Sequence, residues 1–233
     1  MKRFVFAGAL ALAAGGQALA ADLPPPMAPP PRAPATYVPA PVPIFTWSGI
    51  YIGLNGGYGF GTATSSAAGV GNMSPNGFLL GGTLGGNYQF GNFVVGLEGD
   101  GDWSNLDGTN STCGTTGGGK TFSCEAKSTW LATVRGRAGY AWDRVLFYGT
   151  AGGAFGNVQA GAQGGPFDSA TQAGWTAGAG VEAAFAPNWT AKVEYLYVDF
   201  AGLSCTAGGC GTGNTVTLTE NLVRAGVNYK FSW

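Results

Sequence analysis

Long runs of alternating residues constrain this chain more than any other feature of its sequence. In the last run, 216–233, one face carries Val223, Ala225, Val227, Tyr229, Phe231 and Trp233, and the other carries Leu222, Arg224, Gly226, Asn228, Lys230 and Ser232. A period of two places successive side chains on opposite faces of a β-strand. Eight such runs lie at about 47–60, 77–90, 93–104, 126–142, 145–157, 172–186, 189–200 and 216–233. The sequence therefore predicts an all-β chain of eight strands.

The lengths of the runs and of their connections indicate how the strands are arranged. Each run covers ten or more residues, which is long for an ordinary strand but suits a tilted membrane-spanning one. Tight turns are predicted at Gly91-Asn92, Trp142-Asp143-Arg144 and Pro187-Asn188, and long polar loops at 61–76, 105–125, 158–171 and 201–215. Short turns alternating with long loops are typical of bacterial outer-membrane barrels. We therefore expect an eight-stranded antiparallel transmembrane β-barrel with both ends in the periplasm.

The alternation alone leaves open which face of each strand points outward. A soluble barrel buries its apolar face, whereas a membrane barrel exposes that face to lipid. Only 10% of the residues are charged, against about 25% in soluble domains. Aromatic residues also cluster at the ends of runs, as in an interfacial girdle: Tyr88, Phe90, Phe93, Tyr140, Trp142 and Trp189. Both observations favour the membrane arrangement, with the charged face inside.

The charged face is nearly balanced. Its acids are Glu98, Asp100, Asp102, Glu182 and Glu194, and its bases are Arg135, Arg137, Lys192, Arg224 and Lys230. Buried charges are costly unless they are paired, and side chains fill an eight-stranded interior. We therefore predict a salt-bridged plug in which Arg135 and Arg137 pair with the acids of 98–102. The inward glycines leave room for water, so a narrow leak stays an alternative. The face of Phe147 and Tyr148 in the fifth run also stays open.

The first 45 residues predict export and a linker. Lys2 and Arg3 precede a short apolar stretch and Ala18-Leu19-Ala20, the pattern of a signal peptide cleaved after Ala20. Residues 21–45 contain ten of the 13 prolines, which predicts a proline-rich periplasmic linker. The expected organisation is a signal peptide at 1–20, a linker at 21–45 and a barrel at 46–233.

Export also bears on the four cysteines, because it takes them to an oxidising compartment. Four cysteines allow three connectivities. Cys113 and Cys124 are close in sequence, as are Cys205 and Cys210. Local pairing within each of two loops is the simplest expectation.

Several functional classes are disfavoured by composition. The chain has no histidine, which removes the commonest catalytic base and the commonest metal ligand. Its net charge of −1 provides no basic surface for nucleic acid. Residues 114–121 match a phosphate-loop pattern, but they lie in a predicted loop and do not open a helix. We expect no enzymatic activity, no cofactor, no metal and no nucleic-acid partner.

Four segments carry a resemblance to a known family. They are AADLPPP after the signal, FTWSGIYIGLNGGYGFG, STWLATVRGRAGYAWDR and the closing AGVNYKFSW. They resemble the alphaproteobacterial small outer-membrane β-barrel proteins, which include outer-membrane immunogenic and surface-antigen proteins of the porin family. The resemblance implies an eight-stranded barrel in the Gram-negative outer membrane. The closing Tyr229, Phe231 and Trp233 resemble the signal read by the barrel-assembly machinery, although the usual last residue is Phe.

The expected function follows from the barrel and the resemblance together. It is a structural outer-membrane protein, exposed at the surface through four loops, that contributes to envelope integrity and surface interactions. One alternative is a low-conductance porin for small hydrophilic solutes. Another is a protein that binds a host or environmental ligand, such as haem, through its loops. The expected partners are outer-membrane lipid, the barrel-assembly machinery and such surface ligands.

Overall fold

Eight antiparallel strands form a closed barrel in the computed structural model, which describes residues 45–66, 72–110, 123–162, 167–204 and 214–231. The strands are β1 (Gly49–Ser65), β2 (Asn76–Phe90), β3 (Phe93–Asn110), β4 (Cys124–Trp142), β5 (Val145–Ala162), β6 (Phe167–Ala184), β7 (Trp189–Ser204) and β8 (Thr215–Phe231). Each strand pairs with the next, and β8 pairs with β1. The predicted eight-stranded antiparallel barrel is confirmed.

The predicted signal peptide and linker fall outside this part of the chain. The signal peptide at 1–20 and all but the last residue of the linker at 21–45 are not among the described residues. Within the described ranges, no helix is both long enough and apolar enough to cross a membrane.

Most of the strands are longer than predicted. The strand β3 continues to Asn110 and β4 begins at Cys124. The connection between them is therefore 111–123, shorter than the loop predicted at 105–125. The prediction of a long loop at 158–171 was wrong, because β5 ends at Ala162 and β6 begins at Phe167. These extensions are rich in Gly, Ser, Thr and Asn and lack a clear apolar alternation. Backbone pairing with a neighbouring strand extends them without that side-chain signal.

The tight turns lie at one end of the barrel, here called the turn end, at residues 91–92, 143–144 and 185–188. Gly91 has a φ of 62° and Asp143 a φ of 53°, in the left-handed region that glycine and aspartate tolerate best. The side-chain amide of Asn92 donates to the carbonyl of Ala141 over 3.2 Å. The three predicted turns are therefore confirmed. The opposite end, with the connections between β1 and β2, β3 and β4, β5 and β6, and β7 and β8, is called the loop end.

Large apolar side chains cover the outer face of the barrel. Their exposed fractions range from 37% for Trp130 to 75% for Trp142. The fifth strand fits this arrangement, since Phe147 is 50% exposed and Tyr148 only 4%. Phe147 thus faces outward and Tyr148 inward, which resolves the alternative that the sequence left open. An apolar exterior around a polar interior is the arrangement of a membrane barrel.

The interior is layered along the barrel axis. At the turn end, Trp47 packs with apolar residues of β3, β4 and β5. At the loop end lies a larger apolar cluster that includes Leu131, Leu196, Phe200 and Leu222. Most of the charged residues that face the lumen occupy the strand positions between these two clusters. Lys230 lies at the turn end, and Glu220, which was not among the predicted inward charges, is buried between Leu218 and Leu222 at the loop end. The expected pairing of charges did not predict these apolar layers. They lie on either side of the charged network along the barrel axis.

A charged network inside the barrel as the candidate functional site

Strand register brings opposite charges side by side. Glu98 of β3 lies opposite Arg135 of β4, and Glu194 of β7 lies opposite Arg224 of β8. Because inward positions repeat every second residue, each of these pairs points into the lumen. Directly opposed residues on one face have Cβ atoms about 4.5–5.5 Å apart. The register therefore sets these two contacts of the network, and side chains that reach across the lumen make the others.

Arg135 is the hub of the network. Its Nη2 lies 2.6 Å from Glu98 Oε1 and 2.7 Å from Asp100 Oδ2, and its Nη1 lies 2.8 Å from Glu194 Oε2. The Arg135 side chain is fully buried, and those of its three partners are exposed by 1% or less. Its Nε donates to Thr133 Oγ1 over 3.0 Å. One guanidinium thus connects β3 and β4 with β7 across the lumen.

Arg224 forms a second bridge that shares acids with the first. Its Nη1 lies 2.6 Å from Asp102 Oδ2, and its Nη2 lies 2.6 Å from Glu194 Oε1 and 3.1 Å from Asp100 Oδ1. Asp100 and Glu194 therefore each contact two arginines. The planar guanidinium presents several donors in a fixed geometry, which suits this sharing better than a single ammonium would.

Arg137 lies nearer the turn end, between two tyrosines. Its Nη2 is 2.8 Å from Glu182 Oε2, and its Nη1 donates to the Tyr51 hydroxyl over 3.0 Å. The Tyr51 hydroxyl donates in turn to Glu98 over 2.6 Å. The guanidinium carbon lies 3.8 Å from the centre of the Tyr148 ring, a cation–π contact. Sequence reasoning missed both tyrosines, although Tyr51 falls on the face opposite Ile50 and Ile52.

The two lysines differ in their partners. Lys192 Nζ lies 3.0 Å from Glu98 Oε2. Within the described residues, no carboxylate lies within salt-bridge distance of Lys230. Its ammonium instead donates to the carbonyl of Thr46 and lies 3.9 Å from the centre of the Phe45 ring. Lys230 takes these partners because it lies at the turn end, where the segment before β1 enters the lumen.

The inward glycines do not leave open space, contrary to expectation. A Cβ atom added to Gly85 would lie 2.4 Å from the Tyr51 ring. Equivalent atoms would lie 2.6 Å from the Tyr148 hydroxyl at Gly180 and 2.8 Å from the Phe200 ring at Gly156. Each glycine thus accommodates an aromatic side chain that lies across it. The interior is filled by side chains from neighbouring strands.

The predicted girdle residues lie at the turn end on the outer face. All six are exposed there: Tyr88, Phe90, Phe93, Tyr140, Trp142 and Trp189. The ring centres of Phe90 and Phe93 are 6.0 Å apart, and those of Phe93 and Tyr140 are 5.6 Å apart. Tyr229 packs between Trp189 and Phe231 in the same way. These contacts form a continuous aromatic surface on the outer face at the turn end, and its role as an interfacial girdle stays a prediction.

Other predicted residues cannot be placed. Cys113, Cys205, Cys210 and Trp233 lie outside the described residues, as do residues 114–121, and the side chain of Cys124 is not described either. The two disulfides therefore stay predictions. Across 45–66, 72–110, 123–162, 167–204 and 214–231, no group of three or more acidic or sulfur ligands could hold a metal ion. The network's chemistry is mutual neutralisation of charge.

Two solved structures of outer-membrane proteins are similar to this chain at low sequence identity. Neisserial surface protein A is 18% identical, with a TM-score of 0.43, covering 79% of this chain and 98% of that one. The outer membrane protease OmpT from Escherichia coli is 10% identical, with a TM-score of 0.47, covering 82% of this chain and 99% of that one.

Sequence relatives are much closer. The 31 kDa outer-membrane immunogenic protein of Brucella melitensis is 36% identical, over 85% of this chain and 89% of its own length. The 22 kDa outer membrane protein of Rhizobium leguminosarum is 34% identical, over 82% of each. The family model for the outer membrane protein beta-barrel domain matches residues 37–231. The chain therefore belongs to this family of Gram-negative outer-membrane β-barrel proteins, alongside its alphaproteobacterial immunogenic relatives.

Proposed function

We propose that this protein is a structural component of the outer membrane, a closed barrel that contributes to envelope integrity without conducting solutes. The observation that carries the proposal is the pair of arginine bridges across the lumen. Arg135 and Arg224 share Asp100 and Glu194, with nitrogen–oxygen distances of 2.6–3.1 Å. Opening a path through this level would separate buried ion pairs, which is strongly unfavourable.

The apolar layers support the same proposal. Ions and polar solutes cross apolar constrictions poorly, because such constrictions lose their water. Ala154, Leu196 and Leu222 are completely buried at the loop end. Trp47 is 1% exposed at the turn end. A solute would have to displace both layers as well as the charged network between them.

Single-channel recording in a planar bilayer tests the closed lumen. We expect no reproducible conductance steps from protein whose folded state is verified by a gel shift on boiling. The decisive pair of variants is Ala154→Phe, which adds bulk to the lumen, and Ala151→Phe, which adds the same bulk to the outer face. Conductance steps in the wild type that Ala154→Phe abolishes and Ala151→Phe leaves unchanged would contradict the proposal.

We also propose that the loop end is exposed at the cell surface and takes part in surface interactions. Short turns on the periplasmic side and longer connections outside are the rule for bacterial outer-membrane barrels. The two Brucella relatives of 31 and 25 kDa are named outer-membrane immunogenic proteins. Surface-exposed segments of outer-membrane proteins are accessible to antibodies, so these names support a surface role for the corresponding part of this chain.

Epitope insertion tests the orientation. A short peptide tag is placed within 111–122, between β3 and β4, and in a matched variant between Asp143 and Arg144 at the turn end. We expect antibody to label intact cells with the first insertion and to label the second only after the outer membrane is permeabilised. Labelling of intact cells at the turn end alone would reverse the assignment. Deleting 111–122 or 205–213, which spares the described strands, then tests whether any observed ligand binding depends on these connections.

A further inference from the structure

The turn end of the lumen is closed by a segment that belongs to no strand. Residues 45–48 precede β1 and lie in the mouth of the barrel. Trp47 has the largest fully buried side chain of the described residues. Its indole packs with Val94, Ala141, Leu146 and Tyr148. Without it, Tyr148 would be the one aromatic ring left among the buried residues of this cluster, so the tryptophan supplies much of its volume.

Few hydrogen bonds hold this segment in place, and each involves a side chain. The Trp47 amide donates to Gln89 Oε1 over 2.7 Å, and the indole Nε1 donates to the Asp143 carbonyl over 3.3 Å. The backbone amide of Gln89 donates to Ser48 Oγ over 2.9 Å. The β-ladder begins only at Gly49. The segment can therefore leave the mouth without breaking any strand pairing.

Lys230 joins the segment to the interior. Its ammonium donates to the Thr46 carbonyl and lies over the Phe45 ring, which in turn packs edge-on against Trp47 at 5.1 Å. No carboxylate in the described chain lies within salt-bridge distance of this ammonium. A buried ammonium held by one carbonyl and an aromatic face would gain hydration once the segment withdrew.

We propose that residues 45–48 are a removable stopper that closes the periplasmic mouth of the barrel and whose withdrawal exposes Lys230 and the turn end of the interior to the periplasm. This goes beyond a closed structural barrel, because closure at this end depends on a segment outside the sheet. Phe45, the first residue of the stopper, is also the last residue of the proline-rich sequence of 21–45. The apolar layer at the loop end stays in place when the stopper leaves.

Amine labelling of the folded, full-length protein tests the stopper. The probe is a water-soluble acetylating reagent, and mass spectrometry measures the modification rate at each lysine. Lys127, whose side chain is 36% exposed, is the internal reference. In the wild type we expect Lys127 to react while Lys192 and Lys230 stay protected. In Trp47→Ala we expect the modification rate of Lys230 to rise by about tenfold or more, because local opening removes its protection. We expect Lys192 to stay protected, because it remains paired with Glu98.

Trp142→Ala is the matched control, since Trp142 lies at the same end but is 75% exposed on the outer face. It should leave Lys230 protected. Gln89→Ala is a second route to the same state, because it removes the acceptor of the Trp47 amide and leaves the indole intact. Folding of each variant is verified by its gel shift on boiling. The stopper is refuted if Lys230 reacts as fast as Lys127 in the wild type. It is also refuted if Lys230 stays protected in every folded variant of Trp47 and Gln89.

Discussion

At the scale of single residues, Arg135 shows how one side chain can serve three strands. It neutralises Glu98 and Asp100 of β3 and Glu194 of β7 from its own position on β4. Removing one partner from a buried ion pair leaves an uncompensated charge, which is worse than never having buried the pair. The network is therefore more sensitive to the loss of an arginine than a surface salt bridge would be.

The first prediction concerns that loss. Arg135→Ala should lower the free energy of unfolding by about 3–5 kcal/mol, because it removes a buried cation from contact with three carboxylates. Of the salt bridges of Asp100 and Glu194, those with Arg224 would remain. Urea titration of the protein folded into lipid vesicles measures the change. Arg144→Ala, at an exposed position in the turn between β4 and β5, should change stability by less than about 0.5 kcal/mol. Equal effects at the two positions would mean that the network contributes nothing.

At the scale of elements, adjacent residues of one strand face opposite sides of the barrel wall and therefore tolerate substitution differently. Gly85 and Gly86 of β2 are chemically identical, but Gly85 faces the lumen under the Tyr51 ring and Gly86 faces outward. The Tyr51 ring is held by hydrogen bonds with Glu98 and Arg137. It therefore cannot move aside without disturbing the network.

The second prediction separates these two glycines. In Gly85→Ala the new methyl group would also lie 2.9 Å from the Leu97 carbonyl oxygen, and overpacking of this kind costs about 1–3 kcal/mol. In Gly86→Ala the nearest atom would be 3.9 Å away, so the stability should be unchanged or slightly higher. The same urea titration compares the two variants. If Gly86→Ala is the more damaging, the faces of β2 are reversed.

At the scale of the whole molecule, closure of the barrel gives every strand a paired neighbour on both sides. Val223 of β8 lies opposite Tyr58 of β1 on one side and Tyr195 of β7 on the other. A closed barrel has no edge strand on which an unpaired backbone group could face water. Proline, which lacks the amide hydrogen, therefore has no favourable place in the middle of a strand.

The third prediction follows from closure. Val223→Pro should abolish the form that shifts on boiling, since it removes a ladder hydrogen bond next to the seam between β1 and β8. Val223→Ala removes the same side chain but keeps the amide hydrogen, so its gel shift should persist. Gel electrophoresis with and without boiling distinguishes the two. A normal shift in Val223→Pro would indicate that β8 pairs on one side only.

Much of the fold could be predicted because alternation is a local property. The outward position of Val134 and the inward position of Arg135 follow from their neighbours along β4, and Gly91 and Asn92 mark their turn without any tertiary information. The extension of β3 to Asn110 could not be predicted in the same way. Its pairing depends on backbone groups of β4, and those groups leave no periodic signature in either segment.

The sequence by itself determined which side chains share a face, that acids and bases lie together on the inner face, and that the chain closes as eight strands. Only the tertiary structure decided which acid each base reaches, because strand stagger sets the height of every residue along the barrel. It brought Glu194 to Arg135, laid the Tyr51 ring over Gly85 and placed Trp47 in the mouth. These contacts join residues far apart in sequence, so their geometry exists only once the barrel has closed.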